Sequence, residues 1–289
     1  MSDLVLVTGS DGFLGASVVA ELRHRGYVPR SYDLSEGDDI LDRDRLRRAL
    51  QGCVACLHLA AVADLYDAEA DPSRCELVNV EGTRRVAEAC RTSGARLLYA
   101  STCCVYGNNG AERCDERAAP APSERYAQTK LAGEAFVPLA GPDGVALRLA
   151  TFYGPGMRES LATSVFLRRA LAGQEIVVHG DGHQTRCYTH VDDVARGIVT
   201  VLTSPARPSC VNVASEEVCS VLELARIAQR AAGVEVPLRF VADRPGQIRH
   251  SKIDSGLLRK LGWAPRWSLA EGMIACAEAL REAECASDF

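Results

Sequence analysis

The chain has 289 residues, 47% hydrophobic and 25% charged, with a formal net charge of -5. That length suits one large domain or two smaller ones around a buried core, and the acidic balance without a dense basic run excludes a general nucleic-acid binder. No apolar run is long enough to span a membrane, and the chain enters a strand almost at once without a leader-like start, so no membrane partner is expected and the expected address is cytoplasmic.

Leu4 to Val7 is a short apolar strand of the kind buried on both faces. It runs into Thr8-Gly9-Ser10-Asp11-Gly12-Phe13-Leu14-Gly15 and then a helix over 16–25. Strand, glycine-rich turn and helix together read as a dinucleotide cradle. Gly9 permits the tight turn, Gly12 lets a pyrophosphate approach the backbone, and Gly15 lets the helix pack closely. Phe13 and Leu14 lie in the turn that leads into the helix, whose N-terminal amides attract an anion.

The second strand, 28–32, leads to Asp33, 18 residues after Gly15. A carboxylate roughly 20 residues on is placed to hold the adenosine ribose hydroxyls, and it repels a 2′-phosphate, so NAD is expected over NADP. A polar turn over 36–40 brings Asp39 and Ile40 into the expected cofactor contacts, and 43–50 reads as a helix. The next strand ends in Leu57-His58-Leu59-Ala60-Ala61. Leu59, Ala60 and Ala61 let the backbone pass close to a cofactor; His58 reads as a strand residue without chemistry. A single amphipathic helix is predicted over 78–93.

Twelve cysteines are scattered through these elements. Cys53 and Cys56 have metal-ligand spacing but no matching second pair, so no metal site is expected and most thiols read as small buried apolar groups. The strand 96–100 continues into Ser101-Thr102-Cys103-Cys104-Val105-Tyr106-Gly107. A helix over 123–136 follows, with Ser123 as its N-cap. Tyr126 and Lys130 share one face of it, a turn apart. A lysine ammonium below a phenol favours the phenolate, which makes Tyr126 a candidate general base at a sugar hydroxyl as hydride leaves the carbon. Only three lysines occur in the chain, so this one is not the default basic residue.

The strand–helix alternation implies an α/β fold with a doubly wound parallel sheet of Rossmann type. Thr8 to Gly15, His58 to Ala61, Asn79-Val80-Glu81-Gly82-Thr83, Ser101 to Gly107 and Tyr126 to Lys130 together resemble the extended short-chain dehydrogenase/reductase family. Within it the chain is most similar to the NAD-dependent nucleotide-sugar epimerases and dehydratases. The resemblance continues through Leu147 to Gly156, with Thr151 where the family often has asparagine, and through Gly180 to Val194. It implies that Arg186, and Arg244 of Arg244-Pro245-Gly246-Gln247, grip the nucleotide diphosphate, as arginine's planar fork suits phosphate oxygens. It implies a cofactor lobe of residues 1–151 and 188–217, a smaller α/β sugar-nucleotide lobe of 152–187 and 218–289, and a homodimer.

The same resemblance gives Thr102 the second hydrogen bond to the reacting hydroxyl and Lys130 the nicotinamide ribose, with transient oxidation of a hexose at C4. Cys103 and Cys104 fall where the sugar 4,6-dehydratases carry an Asp-Glu pair, and Cys104 matches the cysteine of GDP-sugar epimerases that moves C3 and C5 protons. The expectation is therefore a dehydratase in which Cys104 takes the C5 proton and the C6 hydroxyl leaves, giving a 4-keto-6-deoxy or a 5,6-ene sugar. The alternatives are a 4-epimerase or C5 epimerase, and a non-catalytic NAD-binding sensor or scaffold. Ser251 stands where a small residue admits N-acetylated sugars, so a UDP-hexose is favoured and UDP-N-acetylglucosamine is compatible.

Overall fold

The computed structural model describes residues 3–108, 110, 112–243 and 248–287. Its strands are β1 (Leu4–Thr8), β2 (Val28–Tyr32), β3 (Cys53–His58), β4 (Arg96–Thr102), β5 (Val145–Leu149), β6 (Thr151–Tyr153), β7 (Ile176–His179), β8 (Thr185–His190), β9 (Cys210–Val213), β10 (Val218–Ser220) and β11 (Leu238–Val241). The α-helices are α1 (Phe13–His24), α2 (Arg43–Ala49), α3 (Leu65–Ala70), α4 (Pro72–Glu76), α5 (Thr83–Ser93), α6 (Arg125–Glu134), α7 (Ala162–Leu171), α8 (Val191–Thr203), α9 (Val221–Ala232), α10 (Gly256–Lys260) and α11 (Leu269–Ser287).

Side chains of β1 alternate between two cores. Val5 and Val7 face a cluster with Val18 and Leu22 of α1 and Ile198 of α8; Leu6 faces Leu46 of α2 and Val86 and Cys90 of α5. Burial on both faces is what an unbroken apolar strand requires, and it forces a parallel sheet covered by helices. The sheet has six parallel strands in the order β2-β1-β3-β4-β5-β9. From β1 the chain goes outward to β2 and then back across to β3. The strand order reverses there, and a doubly wound sheet binds ligands in the crevice above such a point.

A second group of elements surrounds a three-stranded sheet, β10-β8-β6, and a two-stranded one, β11-β7. Phe166 and Leu167 of α7, Leu224 and Ala228 of α9 and Met273 of α11 fill its core. α9 is started by a reciprocal Ser220–Glu223 capping box and stopped by Gly233 at φ 72°. The buried Asp193 carboxylate accepts the amides of Arg266 and Trp267 (2.9–3.0 Å), which anchors the chain leading to α11.

Two predicted helices differ in detail. The helix expected over 78–93 is a π-helical turn, Leu77–Gly82, followed by α5. The wider turn carries Asn79 inward, where its Oδ1 accepts from Val62 N–H at 2.8 Å and its Nδ2 donates to Val62 O at 3.0 Å and Thr129 Oγ1 at 3.1 Å. The helix expected from 123 begins at Arg125, with Glu124 rather than Ser123 at the N-cap, and the Glu124 side chain does not cap it. A buried ion pair sets the depth of α6: Arg148 of β5 meets Glu134 at 2.8 Å, and Ser101 of β4 donates to the same carboxylate at 2.5 Å.

Candidate active site

At the crevice the backbone is packed to its limit. Gly9 stands at φ 72°, and a Cβ there would lie 2.8 Å from Ala60 N; a Cβ on Gly15 would lie 2.0 Å from Gly9 O. Glycine is the residue that fits either position. The tight turn brings the first amides of α1, from Phe13 to Gly15, to the crevice; the first intrahelical bond of the run is donated by Ala16 to Gly12 O. Leu59 N–H donates to Thr8 O at 3.1 Å and Ala60 N–H to Thr8 Oγ1 at 3.3 Å, so Leu59, Ala60 and Ala61 pass directly beside the loop. Burial pushes Asp33 up, but amide hydrogen bonds from Ser35 and Asp11 outweigh it and hold the carboxyl below its usual range. The acid is therefore ionised and fixed at the end of β2. Asp39 is turned onto Leu41 N–H, and its carbonyl accepts from Tyr32 Oη; Ile40 is buried against Gly82. An open helix N-terminus, a fixed acid and a surface of small residues fit a dinucleotide.

Thr102 and Tyr126 meet beyond this cradle, with Lys130 one turn further along α6. Thr102 ends β4, and its hydroxyl accepts Cys104 N–H at 3.2 Å. Lys130 is 2% exposed, with its Nζ 4.7 Å above the Tyr99 ring. Burial lowers the ammonium to about 7, against the pull of Cys75 and Glu134. The lowered Tyr126 pKa expected from the sequence is not what the chain's own residues produce. Burial, with Cys104 adding to it, raises the phenol; Arg158 and the Thr102 hydroxyl only partly oppose this. The cause is the phenol's own burial, which disfavours the phenolate by more than the groups that lower it can offset.

Beneath these residues lies a polar relay that sequence reasoning missed. His58 Nδ1 lies 2.8 Å from Thr8 Oγ1 and Nε2 lies 3.1 Å from Thr83 Oγ1. Thr83 donates to Asn79 O at 2.6 Å, so its oxygen accepts from Nε2–H, and Nδ1 accepts from Thr8. Burial and then the Lys130 charge lower His58 to about 3, so the ring is neutral. Asn79 passes the contact to Thr129, which donates to Tyr126 O at 2.8 Å. The chain thus links the cradle to the helix bearing Tyr126. Its signal was the Asn79 to Thr83 block, which marks a motif but not where its side chains point.

The two cysteines separate. Cys103 is 3% exposed, its thiol directed to Arg148 O at 3.1 Å and its pKa driven well up by burial. It packs in the core with Tyr106 and Cys187, which corrects its expected catalytic placement. Cys104 is half-buried; burial raises its thiol and the Glu124 charge raises it further, against Thr102 and Arg186. Arg186 and Thr151 line a cavity of about 150 Å³ with Ala162, Thr163 and Tyr188. Ser251 N–H donates to Thr185 O at 3.1 Å, beside Arg186. Arg244 lies outside the described residues. Cys53 and Cys56 are both buried, and no cluster of metal-ligating side chains is present among the described residues.

A family model described as the NAD dependent epimerase/dehydratase family matches residues 5–214. The chain is 32% identical to a UDP-glucose 4-epimerase of Mycolicibacterium smegmatis over 96% of this chain and 98% of that protein. It is 28% identical to a dTDP-glucose 4,6-dehydratase of Streptomyces niveus over 96% and 93% of the two chains. Among solved structures it matches the UDP-glucuronic acid 4-epimerase of Bacillus cereus, in complex with UDP-glucuronic acid and NAD. That match has a TM-score of 0.88 and 26% identity, and covers 97% of this chain and 99% of the other. Together with the dinucleotide cradle, these matches place the chain in the NAD-dependent epimerase/dehydratase family, with NAD as its cofactor.

Proposed function

We propose that the chain oxidises a UDP-hexose transiently at C4 and returns the hydride to the opposite face, as a nucleotide-sugar 4-epimerase. The observation that carries this reading is the pairing of Thr102, Tyr126 and Lys130 at the crevice with neutral sulfur where dehydratases carry two acids. NAD, when bound, would supply the hydride acceptor and a positive charge. The chain supplies the rest. Tyr126 exchanges a proton with the C4 oxygen, Thr102 orients that oxygen, and Lys130 and Asp33 hold the cofactor's two riboses. Arg186 and Arg244 take the diphosphate. The sugar nucleotide then lies between the proposed cofactor lobe, residues 1–151 and 188–217, and the remaining segments. Ser251 and Thr151 leave room for a neutral or N-acetylated hexose.

The dehydratase reading stands second. A specific feature favours it: Cys104 is half-buried beside Thr102, while Cys103 is buried in the core. Against it, a thiol held protonated is a poor base for a C5 proton. Proton NMR of the purified holoenzyme with UDP-glucose and UDP-N-acetylglucosamine separates the two. Inversion at C4 with the C6 hydroxyl retained supports the epimerase, whereas vinylic signals or a 6-deoxy methyl group would replace it with the dehydratase. Tyr126→Phe should lower turnover by about 10²–10⁴-fold while bound NAD stays near wild type. A fall of less than tenfold would remove Tyr126 from its role.

A further inference from the structure

The segment between β6 and α7, residues 154–161, leads from the strand that begins with Thr151 to the helix start that lines the cavity beside Arg186. It has a pivot at one end and a polar tip at the other. Gly156 stands at φ 82° with open space around it, a conformation that glycine adopts freely. Met157 is tucked inward, where its sulfur accepts from Thr163 Oγ1 at 3.2 Å. Beyond it Arg158, Glu159 and Ser160 are all exposed. A stretch of this kind has little burial of its own to fix it.

What holds the tip comes from the cofactor side of the crevice. Asp64 follows the run of small residues beside the cradle and starts α3. Its two oxygens divide the work. Oδ1 accepts Tyr66 N–H at 2.8 Å and caps the helix, whereas Oδ2 accepts Ser160 Oγ at 2.7 Å and Arg158 Nη1 at 3.4 Å. Burial pushes the Asp64 carboxyl up, but the Ser160 hydroxyl, the Tyr66 amide and the Arg158 charge outweigh it and hold it below its usual range. The loop that carries Asp64 is itself pinned, because Val62 bonds Asn79 through both its N–H (2.8 Å) and its carbonyl (3.0 Å). Glu159, by contrast, pairs with Arg168 of α7 at 3.2 Å, on the segment's own side of the crevice. The charge of Arg158 also reaches Tyr126, which brings the tip close to the reacting groups.

We propose that residues 154–161 form a flap over the mouth of the crevice, latched shut by the bond between Asp64 and Ser160, and that the flap covers the bound sugar nucleotide. This inference rests on the sugar-nucleotide binding proposed above. With its diphosphate at Arg186 and its hexose at Tyr126, the ligand lies between the two sides that the Asp64–Ser160 bond joins. Closure keeps water from the reacting groups, and opening about Gly156 lets substrate in and product out. One hydrogen bond to a carboxylate shifts such an equilibrium about tenfold, enough to favour the closed state and little enough to break on each passage. Asp64 and Ser160 are therefore positioning residues that act through the flap and touch no reacting atom.

Two variants and one protease test the flap. Asp64→Asn separates the latch from the cap: asparagine keeps an oxygen for Tyr66 N–H and puts a donor amide where Oδ2 accepted. Ser160→Ala removes the catch alone. Trypsin cuts after Arg158 when the tip has left Asp64, and such cleavage tracks the population of the open form. The cut is scored by mass spectrometry on the holoenzyme, with the cut after the exposed Arg117 as internal reference. In both variants it should run about tenfold faster than in the wild type, without a fall in melting temperature. Equal rates in the wild type and both variants would overturn the latch. UDP-glucose, UDP-galactose, UDP-N-acetylglucosamine and dTDP-glucose are then added in turn, with binding read by calorimetry. A bound sugar nucleotide should slow the wild-type cut by about tenfold and slow it less in Asp64→Asn. If one binds yet leaves the cut unchanged, the flap is overturned and the proposed function stands. If none of the four binds, the sugar-nucleotide reading falls and takes the covering role with it.

Discussion

The two ends of the crevice are built on different principles. At the cofactor end the determinants are backbone: Gly9 and Gly15 leave no room for a Cβ, and the amides of Ser35 and Asp11 fix Asp33. At the end proposed for the sugar they are titratable side chains whose state is set by burial, in Tyr126, Cys104 and Glu124. Backbone requirements leave a mark at fixed sequence spacing. Burial depends on which segments meet, and no spacing records it. One family can therefore keep its cofactor chemistry while the fate of the sugar changes.

The strongest way to break this contrast is at Lys130, where a charge is buried. An unfolded lysine titrates near 10.4, whereas Lys130 in the fold titrates at about 7. Between those two values the unfolded chain holds a proton that the folded chain lacks. Unfolding free energy therefore rises with pH across this window and is least favourable to the fold below about 7. Lys130→Met removes the penalty. After cofactor removal, its melting temperature should exceed that of the wild type most clearly at about pH 6, where the penalty is on the order of several kcal/mol, and the gap should close towards pH 10. A gap that does not depend on pH would mean that burial does not govern this charge.

The sequence carried most of the fold and about half of the site. The parallel doubly wound sheet followed from strands apolar on both faces, and the cradle from three glycines between a strand and a helix. Tyr126 and Lys130 were found by helical spacing, but not the direction in which their pKa values move. That direction is set by burial, which depends on which segments pack over the two side chains, such as Tyr99 of β4 under Lys130. Ser123 looked like the helix cap because serine is the better capping residue; Glu124 holds the position, and Arg186, whose charge acts on it, is distant in sequence. Adjacent cysteines read alike in sequence, and only the 3₁₀ turn that follows β4 buries Cys103 and leaves Cys104 half-buried.

The next effect in size belongs to the cofactor end. Gly15→Ala places a methyl group 2.0 Å from a backbone oxygen that cannot move without opening the turn. Overpacking of this kind costs about 1–3 kcal/mol, and the purified protein should retain little NAD. Chemical denaturation and cofactor absorbance check the two parts separately. Normal NAD content in a destabilised variant would show that the glycine serves helix packing alone.

The smallest effect is the one that separates the two thiols. Cys103 donates to Arg148 O in a buried site, and Arg148 itself is paired with Glu134 on the helix that carries Lys130. Cys103→Ala removes one buried hydrogen bond, worth about 1 kcal/mol. The leftover carbonyl lies on β5, away from the cleft, so turnover should stay within about twofold of wild type. Cys104→Ala, by contrast, should leave the denaturation midpoint nearly unmoved while turnover falls, since its half-buried thiol adjoins Thr102. If Cys103→Ala instead lowers turnover as far as Cys104→Ala, the adjacent pair acts as one unit. The division between a packing thiol and a working one, and with it the sharp boundary of the sugar end, would then fail.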